Sequence, residues 1–145
     1  VNAAIPIGIT LNNPLNIRRT TDVWVGMDTT YQGPYVRFTA PEYCYRAGSI
    51  ILHGYSARGI NWLGYKADGT RGVIPTWAPP EDGHPTDEYI ANVCTWCGVA
   101  PTDVVPVPSL VLLRSMTRQE IGQTPYPDST IELGMTLANP NGEDL

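Results

Sequence analysis

The sequence predicts a mostly α-helical, loop-rich single domain (α+β at most), and three observations carry that reading. Apolar residues recur at helical spacing in segments between Thr39 and Ala138, several of them opened by a capping residue and closed by a glycine. Glycine and proline number 14 each in a chain of 145 residues, the composition of short helices joined by stiff turns. There is no internal repeat, no low-complexity tract and no apolar run of the roughly 18 residues a membrane span needs. Residues 1–138 are expected to form the domain, and 139–145 a polar tail.

Taken in order, the first 38 residues read as irregular. Short extended pieces fall near Asp22–Val25 and Tyr35–Phe38, set apart by turn signals such as Asn12-Asn13-Pro14 and Gly33-Pro34. Thr39-Ala40-Pro41-Glu42 starts the first clear helix, with Thr39 as N-cap, Pro41 in the first turn and Glu42 completing a capping box. Its stripe is Tyr43, Ala47, Ile50, Ile51 and Tyr55, and Gly54 and Gly59 mark its exit. A turn at Lys66–Gly69 precedes a short segment, Arg71–Trp77, that Pro79-Pro80 must stop. Thr86 is the expected N-cap of a second long helix, with Asp87 and Glu88 in its first turn and a stripe of Tyr89, Ile90, Val93, Cys94 and Cys97 ending at Gly98. The three prolines of Ala100–Pro108 forbid a continuous helix there. Ser109 caps a helix that runs to Glu120 or Ile121 and ends at Gly122. A last helix is expected from Ser129-Thr130-Ile131-Glu132 to about Ala138.

Composition excludes several functions. Nine basic residues against 14 acidic ones give a net charge of −5, and no stretch clusters Lys or Arg, so a phosphate-neutralising surface for nucleic acid is not expected. The first ten residues lack the basic and apolar regions of a signal peptide. Three cysteines, Cys44, Cys94 and Cys97, are too few for a disulfide framework and fit a reducing compartment during folding. Cys94 and Cys97 have the spacing of a redox pair, yet they fall on an apolar helix stripe with no βαβ pattern around them, and read as small buried side chains. A zinc site from these cysteines with His53 or His84 lacks the second CxxC or HxxxH that would specify it, so neither metal nor cofactor is expected.

Glu120 is the residue most suggestive of chemistry. It continues the stripe of Leu113 and Met116, on the face opposite the solvent-directed Arg114 and Arg118, and it lies in the last helical turn, where the helix dipole disfavours an anion. Desolvation and dipole together should raise its pKa, as a general acid requires. A helix-end glutamate that bends to solvent or pairs with arginine is the plainer alternative. Asp82, with His84, Asp87 and Glu88 behind the rigid Trp77-Ala78-Pro79-Pro80, could supply a second carboxylate, although Asp87 and Glu88 are sufficiently explained as first-turn residues. Tyr31, Tyr35, Trp62 and Tyr65 fall in loop-like segments, where aromatic faces could stack on sugars or equally close a small core.

The ordered motifs Asn12-Asn13-Pro14-Leu15-Asn16-Ile17-Arg18, Trp24-Val25-Gly26, Phe38-Thr39-Ala40-Pro41-Glu42, Arg46-Ala47, Trp77-Ala78-Pro79-Pro80-Glu81, Thr86, Tyr89-Ile90, Val93 and Gly98-Val99 span nearly the whole chain. They resemble a family of small phage-encoded proteins, described as structural or lysozyme-like, that read NNPxNIR…WxG…PExxxRA…WAPPxE. The first motif is also similar to the NNLFGIK segment of bacterial cell-wall glucosaminidases of the lysozyme-like superfamily. In those enzymes the catalytic glutamate ends a helix that precedes the motif. Here the helix with that ending, Met116–Gly122, lies near the C-terminus, so the resemblance implies a circularly permuted lysozyme-like fold with Glu120 as the acid.

It further implies a virion-associated enzyme, present in the virion or in host cytoplasm during assembly and acting in the periplasm or cell wall. Such an enzyme cleaves peptidoglycan glycan strands as a muramidase, glucosaminidase or lytic transglycosylase. Asn12, Asn13, Asn16, Trp77 and Tyr126 would then hold the substrate, with Asp82 assisting Glu120. Two further readings belong to other classes: a non-catalytic virion structural protein that contacts other virion proteins, and a glycan-binding module.

Overall fold

Helices appear where apolar stripes meet a start and a stop, and the computed structural model, which describes residues 4–139, contains six among those residues. They are α1 (Ile7–Thr10), α2 (Pro41–Ala57), α3 (Val73–Trp77), α4 (Thr86–Cys97), α5 (Leu110–Ile121) and α6 (Asp128–Ala138), with a 3-10 turn at Pro80–Asp82. Extended structure is limited to three isolated antiparallel bridges, Arg18 with Tyr35, Met27 with Phe38, and Tyr65 with Arg71. The fold is therefore mostly α. No described helix is long and apolar enough to cross a membrane. Of the expected polar tail, all but Asn139 lies outside the described residues.

Several sequence signals act as expected. The Ser109 hydroxyl accepts from the Leu112 amide at 3.2 Å and opens α5, and Gly98 and Gly122 close α4 and α5 in the left-handed conformation. Three expected caps are corrected. Ala40, in extended conformation, precedes α2 and leaves Thr39 outside. Thr86 is inside α4 and turns its hydroxyl away, donating to the Ala78 carbonyl at 2.6 Å. Helix α6 begins at Asp128, one residue before Ser129, without a side-chain cap. Asp22–Val25 pairs with nothing in a bridge, and α1, with only four residues and no side-chain cap, has no counterpart in the sequence pattern.

One continuous core joins the helices to the irregular N-terminal segment through Leu15, Phe38, Tyr45, Leu52, Ile74, Leu113, Met116 and Ile131. Asn13 fastens that segment. It is fully buried, its amide donates to the Ile17 and Val36 carbonyls at 2.9 and 2.8 Å, and its carbonyl accepts from the Ile17 amide and the Cys44 thiol. All of its bonding positions are used, which is what permits a carboxamide in the core. The first amides of α3 find carbonyls in Trp62–Gly64: Gly72 donates to Gly64, Val73 to Trp62 and Ile74 to Leu63, at 2.6–3.0 Å. These bonds satisfy donors a helix start leaves open and fix where α3 begins.

The buried face of α2 is Cys44, Tyr45, Ala47, Gly48, Ser49 and Leu52, rotated from the expected stripe, of which only Ala47 is fully buried. Small residues explain the rotation, because they admit neighbouring backbone and side chains closely. Helix α6 lies against α2 so tightly that a methyl at Gly134 would strike Tyr45 Cβ and come within 2.7 Å of the Glu42 carbonyl. Backbone cannot yield there as a flexible side chain can. Gly134→Ala is expected to destabilise the fold by about 1–3 kcal/mol. The measurement is urea denaturation with an unchanged slope, and a wild-type midpoint would show that the α2–α6 contact is not close-packed in solution.

Candidate active site

Glu120 ends the apolar stripe of α5. Leu113 and Met116 below it are fully buried, so the backbone that carries the carboxylate is anchored in the core. Its side chain, half-buried, opens onto a cleft of about 390 Å³ lined by Asn16, Tyr35, Tyr55, Trp77, Asp82 and His84 among others. Three other segments reach the carboxylate. Trp77, the last residue of α3, donates its indole N–H to Oε2 at 3.1 Å. Tyr89, in the first turns of α4, donates its hydroxyl to the same oxygen at 3.0 Å. Asn16, in the turn after α1, donates from Nδ2 to Oε1 at 3.1 Å and to the Glu120 carbonyl at 3.2 Å.

The balance of forces on the carboxyl can be assigned. Burial raises its pKa and is the largest influence; the bonds from Asn16, Trp77 and Tyr89 and the nearby His84 oppose it, and the outcome is a raised value. Burial and the facing Glu120 charge hold the Tyr89 phenol well above its ordinary value, so it remains an O–H donor. The arrangement also selects the oxygen that carries the proton. Oε2 already accepts two bonds, whereas Oε1 accepts one, and a carboxyl oxygen has room for about two. The open position is on Oε1.

The expected site residues divide into two groups. Glu120, Asn16, Trp77 and Asp82 come together at the cleft, with Asp82 exposed on the 3-10 turn. Asn12, Asn13 and Tyr126, also expected to hold substrate, lie outside its lining. The Asn12 amide donates to the Phe38 carbonyl at 3.0 Å, and Asn13 is consumed inside the core. Tyr126 packs edge-on against Tyr45, with ring centroids 6.3 Å apart. Of the aromatics expected to meet sugar, Tyr35 lines the cleft, while Trp62 is buried with Lys66 over its ring at 4.0 Å.

Sequence reasoning missed Tyr89 as a partner of Glu120, although a phenol on a buried stripe needs an acceptor for its hydroxyl, and that requirement was readable. Arg18 and Tyr55 were missed as cleft residues because segments distant in sequence bring them there, whereas His84 lines the cleft beside Asp82, with which the sequence grouped it.

Asn16 adopts a left-handed backbone, with φ of 51°, as Asn12 does with φ of 52°. Asparagine tolerates this conformation better than most side chains. Gly8 of α1 packs beneath it: a methyl there would stand 2.6 Å from Ile121 Cγ2, 2.8 Å from the Asn13 carbonyl and 3.1 Å from Asn16 Oδ1. Gly8 is thus a positioning residue for the Asn16–Glu120 pair.

The cysteines take no part in the cleft. Cys44 and Cys94 are buried, burial lifts both thiols (Cys94 to about 11), and the Cys97 thiol lies 3.5 Å from Ser115 Oγ. Among the described residues no three side chains of His, Cys, Asp or Glu converge as a metal site. No protein-family model matches the chain, and no curated protein matches it.

Because the Trp77 bond lowers the Glu120 pKa, Trp77→Phe, which keeps an aromatic ring and deletes the donor, should move the Glu120 titration to higher pH. Carboxyl ¹³C shifts across a pH series read this directly. A titration unmoved or lowered would show that the indole bond does not act on the carboxylate.

Proposed function

We propose that the chain is a virion-associated phage enzyme that cleaves the glycan strands of peptidoglycan, built on a lysozyme-like scaffold in circularly permuted order, with Glu120 as the general acid. The observation that carries this reading is a carboxyl with a burial-raised pKa, placed at a helix end and opening onto a cleft with aromatic walls. Aromatic faces beside amides and carboxyls suit a sugar, whose apolar face stacks while its hydroxyls and acetamido groups bond. The proposed permutation accounts for an NNPxNIR-like segment that precedes α2 while the helix ending in glutamate comes late in the chain.

In the proposed reaction Glu120 delivers its proton from Oε1 to the glycosidic oxygen as the C–O bond breaks. The leaving sugar departs as a neutral alcohol, and positive charge develops on the anomeric carbon and ring oxygen of the other. Trp77 and Tyr89, both on Oε2, hold the carboxyl plane and stabilise the carboxylate left behind. The oxocarbenium-like centre is then captured by water or by a hydroxyl of the substrate itself, and the proton that oxygen loses restores the Glu120 carboxyl, directly or through solvent. Capture by water draws on Asp82 on the cleft wall as a base, whereas capture by the substrate's own hydroxyl requires no second carboxylate.

A non-catalytic virion protein is the second reading, and one observation favours it: the Glu120 carboxylate joins the α1 turn, α3 and α4, which is a sufficient structural role. Glu120→Gln separates the two. The enzyme reading expects loss of clearing in a peptidoglycan zymogram, by at least about a hundredfold in rate, from a variant that still folds. Retained clearing would remove Glu120 as the acid, and an inactive wild type would favour the structural reading.

Stability of the same variant has a definite pH dependence. The folded-state pKa of Glu120 is raised above the ordinary value of 4.5, so its protonated form favours the native state. That contribution is complete below the ordinary value and is lost as pH rises through the raised one. The Tm of Glu120→Gln relative to wild type should therefore climb over that window in a calorimetric pH series, and a falling difference would contradict the raised pKa.

A further inference from the structure

The cleft that holds Glu120 also contains an uncommitted cation. Arg18 lines it, on a segment fixed by the antiparallel bridge to Tyr35, and its guanidinium lies over the Tyr35 ring, 5.3 Å from the centroid. The backbone holds this pair from both sides, through the Val36 amide to the Ile17 carbonyl at 3.0 Å and the Arg19 amide to the Pro34 carbonyl at 2.8 Å. No described carboxylate forms an ion pair with Arg18: Glu81 is paired with Arg71 and Asp128 with Arg114. The other ionisable groups of the same lining are Asp82, His84, Glu120 and the phenols of Tyr35 and Tyr55. A guanidinium held over a ring face uses none of its N–H donors on the ring, and those donors suit two-point pairing with a carboxylate.

Resting on the reading under Proposed function, we propose that Arg18 is a specificity-determining residue that pairs with a carboxylate carried by the glycan, so that the cleft takes acid-bearing strands in preference to uncharged ones. Peptidoglycan offers that group in two places: on the stem peptide, or on the lactyl ether of every second sugar once the stem has been removed. Chitin-type oligosaccharides, which share the acetamido groups but have no lactyl ether, have neither. Within the same lining Asp82 would repel an acidic strand, and Arg18 is the group of opposite sign that offsets it.

The test measures initial rates of wild type, Arg18→Gln and Arg18→Lys on three soluble substrates of equal length: strands with stems, strands stripped to the free lactyl acid, and chitin-derived oligosaccharides. Arg18→Gln should raise KM about tenfold on the acid-bearing strand that Arg18 reads, with kcat within about twofold and KM on the chitin-type substrate unchanged. Whether the stemmed or the stripped strand responds identifies the carboxylate. Arg18→Lys should recover part of the loss, because it keeps the charge without the planar fork.

An unchanged KM on both acidic strands, or an equal rise on the uncharged one, overturns the proposal while leaving the catalytic reading intact. If wild type cleaves nothing, the same three ligands are titrated calorimetrically. Acid-selective binding that Arg18→Gln abolishes then supports the Arg18 assignment after the catalytic reading has failed, and absence of binding overturns both.

Discussion

A carboxylate taken out of water at the negative end of a helix meets two unfavourable conditions at once, and the fold is arranged around that fact at Glu120. Loss of hydration and the helix dipole both disfavour the anion. Donors must replace the lost water, and they come from three places: the turn after α1, the end of α3 and the start of α4. Burial outweighs these donors and leaves the pKa raised. A fully compensated carboxylate would be a poor acid, and an uncompensated one would not stay buried. The number and position of the donors place Glu120 between those limits.

Most of the remaining structure keeps the donors in place. Asn16 stays where it is because Asn13 locks the preceding turn and Gly8 leaves no slack beneath it. Trp77 is held because the carbonyls of Trp62–Gly64 cap α3 and the Thr86 hydroxyl fastens Ala78, the next residue, to the start of α4. That hydroxyl also brings Tyr89 into position one turn later. The irregular segments are therefore as constrained as the helices, through backbone bonds that two-strand bridges and turns supply in place of a sheet.

How much of this was legible from the residues depends on the range of the interaction. Helices α4 and α5 were readable because their stripes and closing glycines are local signals, and Glu120 stood out because it violated two local rules together. The start of α2 was misread because a threonine near a proline offers the same pattern whether or not its hydroxyl caps the helix. Its buried face was misread because Gly48 and Ser49 do not register as apolar, though small size is what lets Leu15 and neighbouring elements approach. Asn12, Asn13 and Asn16 look alike in sequence and have three fates: a bond to Phe38, complete burial, and contact with Glu120. Only the tertiary fold separates them. Arg18 and Tyr35 lie 17 positions apart, and no local periodicity pairs them.

The indole N–H bonded to Glu120 has an optical consequence. Indole emission responds to charge near the ring, and Trp77 has its nitrogen 3.1 Å from a carboxyl oxygen of Glu120. Of the other tryptophans, Trp62 lies under Lys66 and Trp96 under Arg118. The protein thus contains a built-in fluorophore that reads the protonation state of Glu120, and this signal is available whether or not the chain turns over a substrate.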